Sequence, residues 1–562
     1  MASVNPLTTH NQQEKPSGRM TQHVATLINP GPPAVYQLNT ERKYIDGTDK
    51  KVRQWTYGRR DRNKQNKVIL IVGETGSGKT TIINTMVNHL LGVKFEDQKY
   101  YQITEEEQRA DQTQSQTSEI TVYEVFVEEN PTSLTIIDTP GYGDTRGHEK
   151  DREVAEYLSR LFADEDGVHY IDSVCFVMKA SQNRLSGKEL YIFHAVLSLF
   201  GRDIENNIVF LLSYSDGGPP ADALNAIDKA EISCRRDSRE KPVHFLFNNR
   251  QKEKREEEYE HMIRSAWEMG ERSINKFFTV MEEKNRKSVQ MTLEVMKERT
   301  RLDAFVCNLK DRITEKEKKT DELTQIQKAL EENRDKIVTN DNFQFTVNKV
   351  VKKKVPIVNE SWRNRKATCC SVCEENCHEW DCFWVSSKNL SRCHVMSNNH
   401  CTVCSGKCHY NKHVKENKKY VTKTEATIMT FNELQQQYED REQQPEISFN
   451  KKIYENTKKE HEGIMKESGG KTKIEEKLIR DLERMKTEKS KLLQEAYMSI
   501  ISLCKIALKA DSAFTLQHLD FLIPRLKEEE GKEEWVKKLE ELNKAGEEKN
   551  NKGAVQHVKT FN

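Results

Sequence analysis

The sequence predicts a mainly parallel α/β domain with helices on both faces, followed by helical arms and a small cysteine-rich module. Three observations lead there. From Lys67 to about residue 250, apolar runs of strand length alternate with stretches of helical period, the pattern of a parallel sheet covered on both sides. A glycine-rich stretch, Gly73-Glu74-Thr75-Gly76-Ser77-Gly78-Lys79-Thr80, joins one such run to a helical stretch. Nine of the 13 cysteines fall between Cys369 and Cys408.

Length and composition bound the reading. A chain of 562 residues has room for three or four domains at about 150 residues each. Lys+Arg is 90 and Asp+Glu is 89, which excludes a generally basic nucleic-acid binder and an acidic solvating chain. Charged residues make up 32% and apolar residues 35%, as expected where long solvated helices contribute much of the chain. The longest apolar runs, Val68–Val72 and Ile208–Leu212, fall far short of the ~20 residues that span a bilayer. The N-terminal stretch has no apolar core of a secretory signal, so a cytoplasmic chain is expected, with its cysteines as thiols or metal ligands rather than disulfides.

In order along the chain, residues 1–62 are polar and broken at Pro30-Gly31-Pro32-Pro33. They read as a flexible lead-in with one extended segment near Val35–Leu38. The domain proper is expected over 63–280. Its strands are Val68–Val72, Thr121–Val127, Leu134–Ile137, Val174–Met178, Ile208–Leu212 and Val243–Phe247, and its helices 79–91, 149–163, 186–200 and 220–233. A helical arm is expected over 281–340, with Leu302, Phe305, Leu309 and Ile313 on one face. Polar seam positions such as Lys316 and Thr320 suit a hairpin or packed arm better than an isolated coiled coil. Residues 341–425 combine a strand with the cysteine-rich module, and 426–562 form a helical, coiled-coil-like region. Breaks are expected there at Pro445, Gly469-Gly470, Ala510–Ser512 and Pro524, and a fraying tail from Glu528.

The stretch from Gly73 to Thr80 fits GxxxxGK[ST], between the strand Val68–Val72 and a helix. Its glycines let successive backbone N–H groups face phosphate oxygens, and the helix start adds its positive dipole end. Lys79 reaches the β- and γ-phosphates, the Thr80 hydroxyl ligates Mg²⁺, and Thr81 is expected to bind the nucleotide together with the loop from Gly73 to Thr80. Downstream, Leu134-Thr135-Ile136-Ile137-Asp138-Thr139-Pro140-Gly141 carries Asp138 to the carboxyl end of a strand, where open α/β sheets bind ligands. Asp138 can hold Mg²⁺ through water, and Gly141 leaves room for a backbone N–H at the γ-phosphate.

These two motifs, in this order, resemble the translation-factor-related class of GTPases. GETGSGKTT and IIDTPGYGDT are most similar to the septins and the neighbouring immunity-associated nucleotide-binding GTPases. The resemblance covers about residues 64–280. It implies an α/β P-loop NTPase with a Ras-like G domain, GTP with Mg²⁺, and homodimers or oligomers through the nucleotide face. It also calls for a switch threonine between the first helix and the strand at Thr121, for which Thr113 and Thr117 are candidates and Thr117 lies nearer that strand. The base-reading motif of most GTPases is [NT]KxD. Here Ser213-Tyr214-Ser215-Asp216 ends a strand, so Asp216 stands where a carboxylate accepts from guanine, while Tyr214 replaces the lysine. The other reading of Asp216 is a turn residue before Gly217-Gly218-Pro219. Asn248 and Asn249 of Phe247-Asn248-Asn249-Arg250 resemble an Asn-Asn-Arg segment near the base in the immunity-associated GTPases. Tyr142 follows Gly141 where a water-orienting Gln could stand, so slow hydrolysis is expected.

The cysteine-rich segment repeats one pattern, C-x2-C-x3-C-H. One copy is Cys370, Cys373, Cys377 and His378; the other is Cys401, Cys404, Cys408 and His409. Cys382, Cys393 and His394 lie between them, and His400 and His413 flank the second copy. A C-x2-C knuckle turns two thiolates toward one tetrahedral zinc. The segment has too few aliphatics for a core of its own, so two Zn²⁺ ions are expected, with the six knuckle cysteines as ligands and the rest drawn from Cys382, Cys393, His378, His394, His409 and His413. Cys175, Cys234, Cys307 and Cys504 are isolated and read as ordinary packed residues. The sequence thus points to a GTP–Mg²⁺ switch or assembly protein with slow turnover and partners on its helical arms. A zinc-containing scaffold with a permanent nucleotide, and an ATPase, are the alternatives.

Overall fold

The structure, a computed structural model, describes residues 25–45, 51–105, 119–140, 148–182, 185, 187–282, 285–333, 344–358, 366–379, 382, 385–440, 471–508 and 513–550. The chain divides into two compact units. One comprises residues up to Leu197 together with Asp203–Gln290, the other Ser198–Arg202 together with the described residues from Met291 on.

The first unit begins with β1 (Ala25–Asn29), β2 (Ala34–Leu38), β3 (Glu41–Tyr44), β4 (Val52–Tyr57) and β5 (Gln65–Gly73). Then come α1 (Lys79–Leu90), β6 (Lys99–Gln102), β7 (Ile120–Val125), β8 (Thr132–Asp138), α2 (His148–Ala163), β9 (Tyr170–Ile171) and β10 (Ser173–Lys179). It closes with α3 (Gly187–Leu197), β11 (Ile208–Ser213), α4 (Ala221–Lys229), β12 (His244–Leu246), α5 (Glu260–Glu282) and β13 (Lys287–Ser288). Eight strands form the central sheet in the order β12-β11-β10-β5-β8-β7-β4-β3. The run from β12 to β8 is parallel; β7 runs antiparallel to β8, and β3 antiparallel to β4. Alternation decides the faces. Ile69, Ile71, Cys175, Val177, Val209 and Leu211 face α1 and α5 in one core, while Phe176 and Phe210 meet Phe193 of α3 on the other side.

The expected flexible lead-in is corrected from Ala25 onward. β1 and β2 form a small sheet with β6, and β3 and β4 extend the central sheet beyond β7. The sequence of β4, with Arg53 and Gln54, looks polar because pairing with β7, not an apolar run, places it. Trp55 fills the resulting half-buried face against Tyr123.

α1 is fixed by two asparagines four residues apart, hence on one helix face. The Asn84 carboxamide oxygen accepts from the Ile103 N–H at 2.8 Å, and that of Asn88 accepts from the Tyr101 N–H at 2.8 Å. The Asn88 amide donates back to the Tyr101 carbonyl at 2.6 Å. Two buried side chains thus satisfy the backbone of β6 and its extension, which have no strand partner on that side among the described residues.

The second unit is built on α6 (Gln290–Glu332), one continuous helix rather than a hairpin. A strand pair follows: β14 (Gln344–Pro356) and β20 (Lys418–Thr430) run antiparallel over their whole length. Between them in sequence lie β15 (Ala367–Cys370), β16 (Glu375–His378), β17 (Met396–Ser397), β18 (His400–Cys401) and β19 (His413–Glu416). The remaining helices are α7 (Phe431–Asp440), α8 (Lys471–Ile506), α9 (Ala513–Lys527) and α10 (Glu533–Asn550). Leu302, Phe305, Leu309 and Ile313 of α6 share a core with Leu492, Ala496 and Ile500 of α8, Leu519 and Leu522 of α9, and Leu539 of α10. The expected arm and the C-terminal helices are therefore parts of one packed body. Farther along α6, Leu323, Ile326 and Leu330 pack on Phe345, Val347 and Met429 of the ribbon. A reciprocal cap starts α7: the Glu433 N–H donates to the Thr430 hydroxyl at 3.1 Å, and the Thr430 N–H donates to the Glu433 carboxylate at 2.8 Å.

Pro524 does not break the chain; it lies inside α9. It removes one helical donor near the C-terminal end, where the buried neighbours Leu522, Ile523 and Leu526 hold the backbone helical. The expected tail from Glu528 is helical over α10, which buries Val536 and Leu539. Pro445, Gly469-Gly470 and Ala510–Ser512 lie outside the described residues. No described helix is long and apolar enough to cross a membrane.

Asn88→Ala leaves the Tyr101 N–H and carbonyl buried without their side-chain partner. It is expected to lower the unfolding free energy of the first unit by about 2 kcal/mol, read as an earlier urea midpoint; an unchanged midpoint contradicts this anchoring of α1.

Candidate functional site

The glycine-rich loop turns between β5 and α1 at the carboxyl edge of the central sheet. β5 is flanked by β8 on one side and β10 on the other, so the connections leave it in opposite directions there, the place where such sheets open a crevice. Gly76 and Gly78 have φ of +80° and +96°, conformations that side chains oppose. A Cβ on Gly73 would stand 2.5 Å from the Val177 carbonyl oxygen of β10. The loop closes with the Ser77 N–H donating to the Glu74 carbonyl at 3.2 Å. From β11, the Ser213 hydroxyl donates to the Ser77 carbonyl at 2.7 Å.

Lys79 folds back over this loop and donates to the carbonyls of Gly73 and Glu74 at 3.0 and 3.1 Å. Burial lowers its pKa, and the Asp138 charge opposes that shift. Asp138 ends β8, paired in register with Ile71 of β5. Burial pushes its carboxyl up to about 7, against the charges of Lys79 and Arg53. The Asp138 Oδ1 and Ser77 hydroxyl oxygens are buried with no hydrogen-bond partner among the described residues. Such orphaned oxygens beside an inward-turned lysine fit a bound phosphate and its cation. Thr139 is tied down, its hydroxyl donating to the Ile71 carbonyl at 3.0 Å. Thr80 and Thr81 open α1, half-buried. Gly141, Tyr142, Thr113 and Thr117 lie outside the described residues.

The loops after β11 and β12 meet. The Ser215 N–H donates to the Phe247 carbonyl at 3.0 Å, which ties the loop of Asp216 to the loop of Asn248 and Asn249. Tyr214 is 60% exposed, at a φ of +53°, and its ring lies 4.0 Å from where a Cβ on Gly78 would be. Lys179 stands over that ring at 5.8 Å. Asp216 does form the turn that was its alternative reading: Oδ1 accepts from the Gly218 N–H at 2.9 Å. Its Oδ2 remains. Asn249 faces α1 instead, accepting from the Thr85 hydroxyl at 3.1 Å, while Asn248 is half-buried on the loop.

In the second unit the knuckle residues form three groups. Cys370, Cys373, Cys404 and Cys408 make one; Cys377, Cys401, Cys404 and His413 another; His378, Cys382 and Cys393 the third. Within each, the ligand atoms lie within 4.8 Å of one another. No disulfide links any of these cysteines. Cys373 and Cys408 sulfurs are 3.6 Å apart, and Cys382 and Cys393 sulfurs 3.8 Å apart. His409 joins none of the groups. Adjacent residues on extended backbone point apart, and the short turn Tyr410–Lys412 returns the chain so that His413 enters instead. The His413 Nδ1 faces the His409 carbonyl at 3.2 Å, leaving Nε2 toward Cys404 at 3.8 Å. Cys369 belongs to none; burial pushes its thiol up to about 12. Sequence reasoning missed the buried Asn84 and Asn88, whose i, i+4 spacing on an apolar helix was the available signal.

Comparisons with known proteins agree with the loop geometry. The family model for Septin matches residues 64–164. No curated protein matches. Among solved structures, Toc33 from Arabidopsis thaliana in complex with Mg²⁺ and GMPPNP is 14% identical, with a TM-score of 0.28 over 40% of this chain and 88% of that one. The translation elongation factor SelB from Methanococcus maripaludis, in complex with the GTP analogue GppNHp, is 14% identical, with a TM-score of 0.23 over 40% of this chain and 35% of that one. A structure of chloroplast translocon components atToc33 and psToc159, whose dimerization is important for GTPase activity, is 16% identical, with a TM-score of 0.23 over 33% and 71%. The family match, the strand–loop–helix around Lys79 and the paired Asp138 converge: this chain carries a septin-like P-loop GTPase domain.

Proposed function

We propose that the first unit binds GTP with Mg²⁺ and hydrolyses it slowly, as a switch or assembly protein, and that zinc holds the Cys/His module of the second unit. The observation that carries the nucleotide reading is the convergence of Lys79, Ser77 and Asp138 on one crevice with two buried oxygens left unpartnered. Gly73–Gly78 present backbone N–H groups to the phosphates. Lys79 exchanges its two loop carbonyls for β/γ-oxygens. Thr80 and Asp138 hold Mg²⁺, which when bound neutralises charge on those oxygens. Asp216 Oδ2 accepts from the guanine edge, Asn248 adds a second base contact, and Tyr214 stacks where other GTPases place a lysine stem. Gly141 and Thr117 are proposed to complete the γ-phosphate contacts. Dimers through the nucleotide face supply what one subunit lacks for hydrolysis, and the helices of the second unit recruit protein partners. The substitution of Tyr214 for lysine is what favours the alternative, an ATPase or a scaffold with a permanent nucleotide.

Zinc suits the module because its sulfur spacings are tetrahedral edges. With a Zn–S bond of about 2.3 Å the edge of a tetrahedron is about 3.8 Å, close to the 3.6 and 3.8 Å observed. A disulfide would need about 2.05 Å.

Titration with fluorescent GTP and ATP analogues tests the nucleotide. GTP is expected to bind more tightly, in a Mg²⁺-dependent way, and Lys79→Ala to abolish binding. Equal affinities overturn the guanine assignment; unchanged affinity in the variant overturns the loop's role.

Single-turnover hydrolysis is expected on the order of 10⁻³ s⁻¹ or below, as for an unassisted Ras-like protein, and to rise with protein concentration. A fast rate independent of concentration contradicts the proposed need for a partner.

The Asp138 carboxyl gives a pH signature. Its raised pKa means that the folded apo protein holds a proton the unfolded chain has lost, so apo stability falls as pH rises from about 4 to 7. Mg²⁺ needs the carboxylate, so the linkage of ligand binding runs the other way. Mg²⁺-dependent GTP affinity is expected to rise about tenfold between pH 6 and 8, and Asp138→Asn to flatten that slope. The same slope in both proteins contradicts the role of Asp138.

A further inference from the structure

We infer that the Cys/His module holds three metal ions, two of them joined through the Cys404 thiolate and the third held by His378, Cys382 and Cys393. This rests on the reading of the module as zinc-held and adds the number and arrangement of its ions.

The two C-x2-C-x3-C-H copies do not each close on a site of their own. They cross. The first knuckle, Cys370 and Cys373, faces Cys408, the third cysteine of the second copy. The second knuckle, Cys401 and Cys404, faces Cys377, the third cysteine of the first. His413 completes the second group to four ligands. The first group has only three terminal thiolates, and its fourth is again Cys404. Two tetrahedral ions have eight coordination positions; the two groups supply seven residues. One shared thiolate balances the count, and Cys404 is the residue common to both.

The backbone around these sulfurs supports fixed thiolates. N–H groups of Cys373, Val403, Cys404, Gly406 and Cys408 donate to knuckle sulfurs at 3.3–3.4 Å. Among them the Cys408 N–H reaches Cys404 itself at 3.3 Å. Six thiolates around two divalent ions carry excess negative charge, which such donors offset. Gly406 approaches so closely that a Cβ there would lie 3.0 Å from the Cys408 sulfur and 3.1 Å from that of Cys373.

The third group is separate in composition and shares no ligand with the other two. His378 Nδ1 lies 3.3 Å from the Cys393 sulfur and 3.9 Å from that of Cys382. For Zn–N of about 2.0 Å and Zn–S of about 2.3 Å, a tetrahedral N···S edge is about 3.5 Å, between these two. All three residues are buried. Two thiolates and a neutral imidazole give a neutral site whose fourth position no described residue fills, a coordination set distinct from the four-ligand groups.

Elemental analysis and cadmium NMR of the full chain test this. Protein purified without chelator is expected to hold three zinc ions per chain, and the double variant His378→Ala/Cys382→Ser two. Replacement by ¹¹³Cd is expected to give three resonances in the unsubstituted protein, two of them split by mutual ¹¹³Cd–¹¹³Cd coupling that only a shared ligand transmits. The double variant keeps the coupled pair and loses the single resonance. Three ions without coupling overturn the Cys404 bridge. Two ions in the unsubstituted protein, or three in the double variant, overturn the third site. Protein free of metal overturns the zinc reading itself.

Discussion

The constraint on which the first unit depends is steric: the chain must turn from β5 into α1 with almost no side chain in the way. Gly73 passes within a Cβ's reach of the Val177 carbonyl, and Gly76 and Gly78 take left-handed backbone angles. That turn sets Lys79 at the first position of α1. The rest of the unit holds this geometry in place. Asn84 and Asn88 fasten α1 to the β6 segment, Ser213 fastens the loop to β11, and the β5–β8 register brings Asp138 alongside. Burial of Asp138 and Lys79 together stores polar groups that favour a charged ligand over an empty crevice.

The second unit solves a different problem. Its helices share an apolar core from Leu302 to Leu539, but the segment between β14 and β20 has few aliphatic side chains, chiefly Val385, Leu390, Val395 and Val403, amid cysteine. In such a segment metal–ligand bonds can stand in for apolar burial; structural zinc contributes roughly 10–16 kcal/mol in small peptides. Polar anchoring supplements this. Buried Glu375 accepts from Asn308 of α6 at 3.1 Å and from the Ser405 N–H at 3.0 Å.

What the sequence reveals and conceals follows from how local each determinant is. The glycine loop, the strand that ends at Asp138 and the helices from 79 to 229 were legible because turn chemistry and apolar period lie within a few residues. β3 and β4 were not, because Arg53 and Gln54 are tolerated by an edge region whose place is set by distant β7. The continuity of α6 was hidden by polar seam residues: Thr320 bonds back to the Lys316 carbonyl, and Lys316 pairs with Glu488. In the module, the repeat named the knuckle cysteines but not their partners. The crossing of the two copies, and the choice of His413 over His409, depend on β15 pairing with both β16 and β19. Asp216 shows the limit most clearly: the sequence left a turn and a base contact open, and the structure places one of its carboxylate oxygens in the turn.

Backbone hydrogen exchange across the whole chain, with Mg²⁺ and a non-hydrolysable GTP analogue against the ATP analogue, tests whether the β5–α1 crevice takes a guanine nucleotide. Strong slowing is expected at residues 73–81 with the guanine nucleotide, together with residues 213–218 and 247–250, where the base would lie. The ATP analogue should leave the latter two loops unchanged. Exchange at 73–81 that is indifferent to both nucleotides would contradict the claim that this crevice is a nucleotide site.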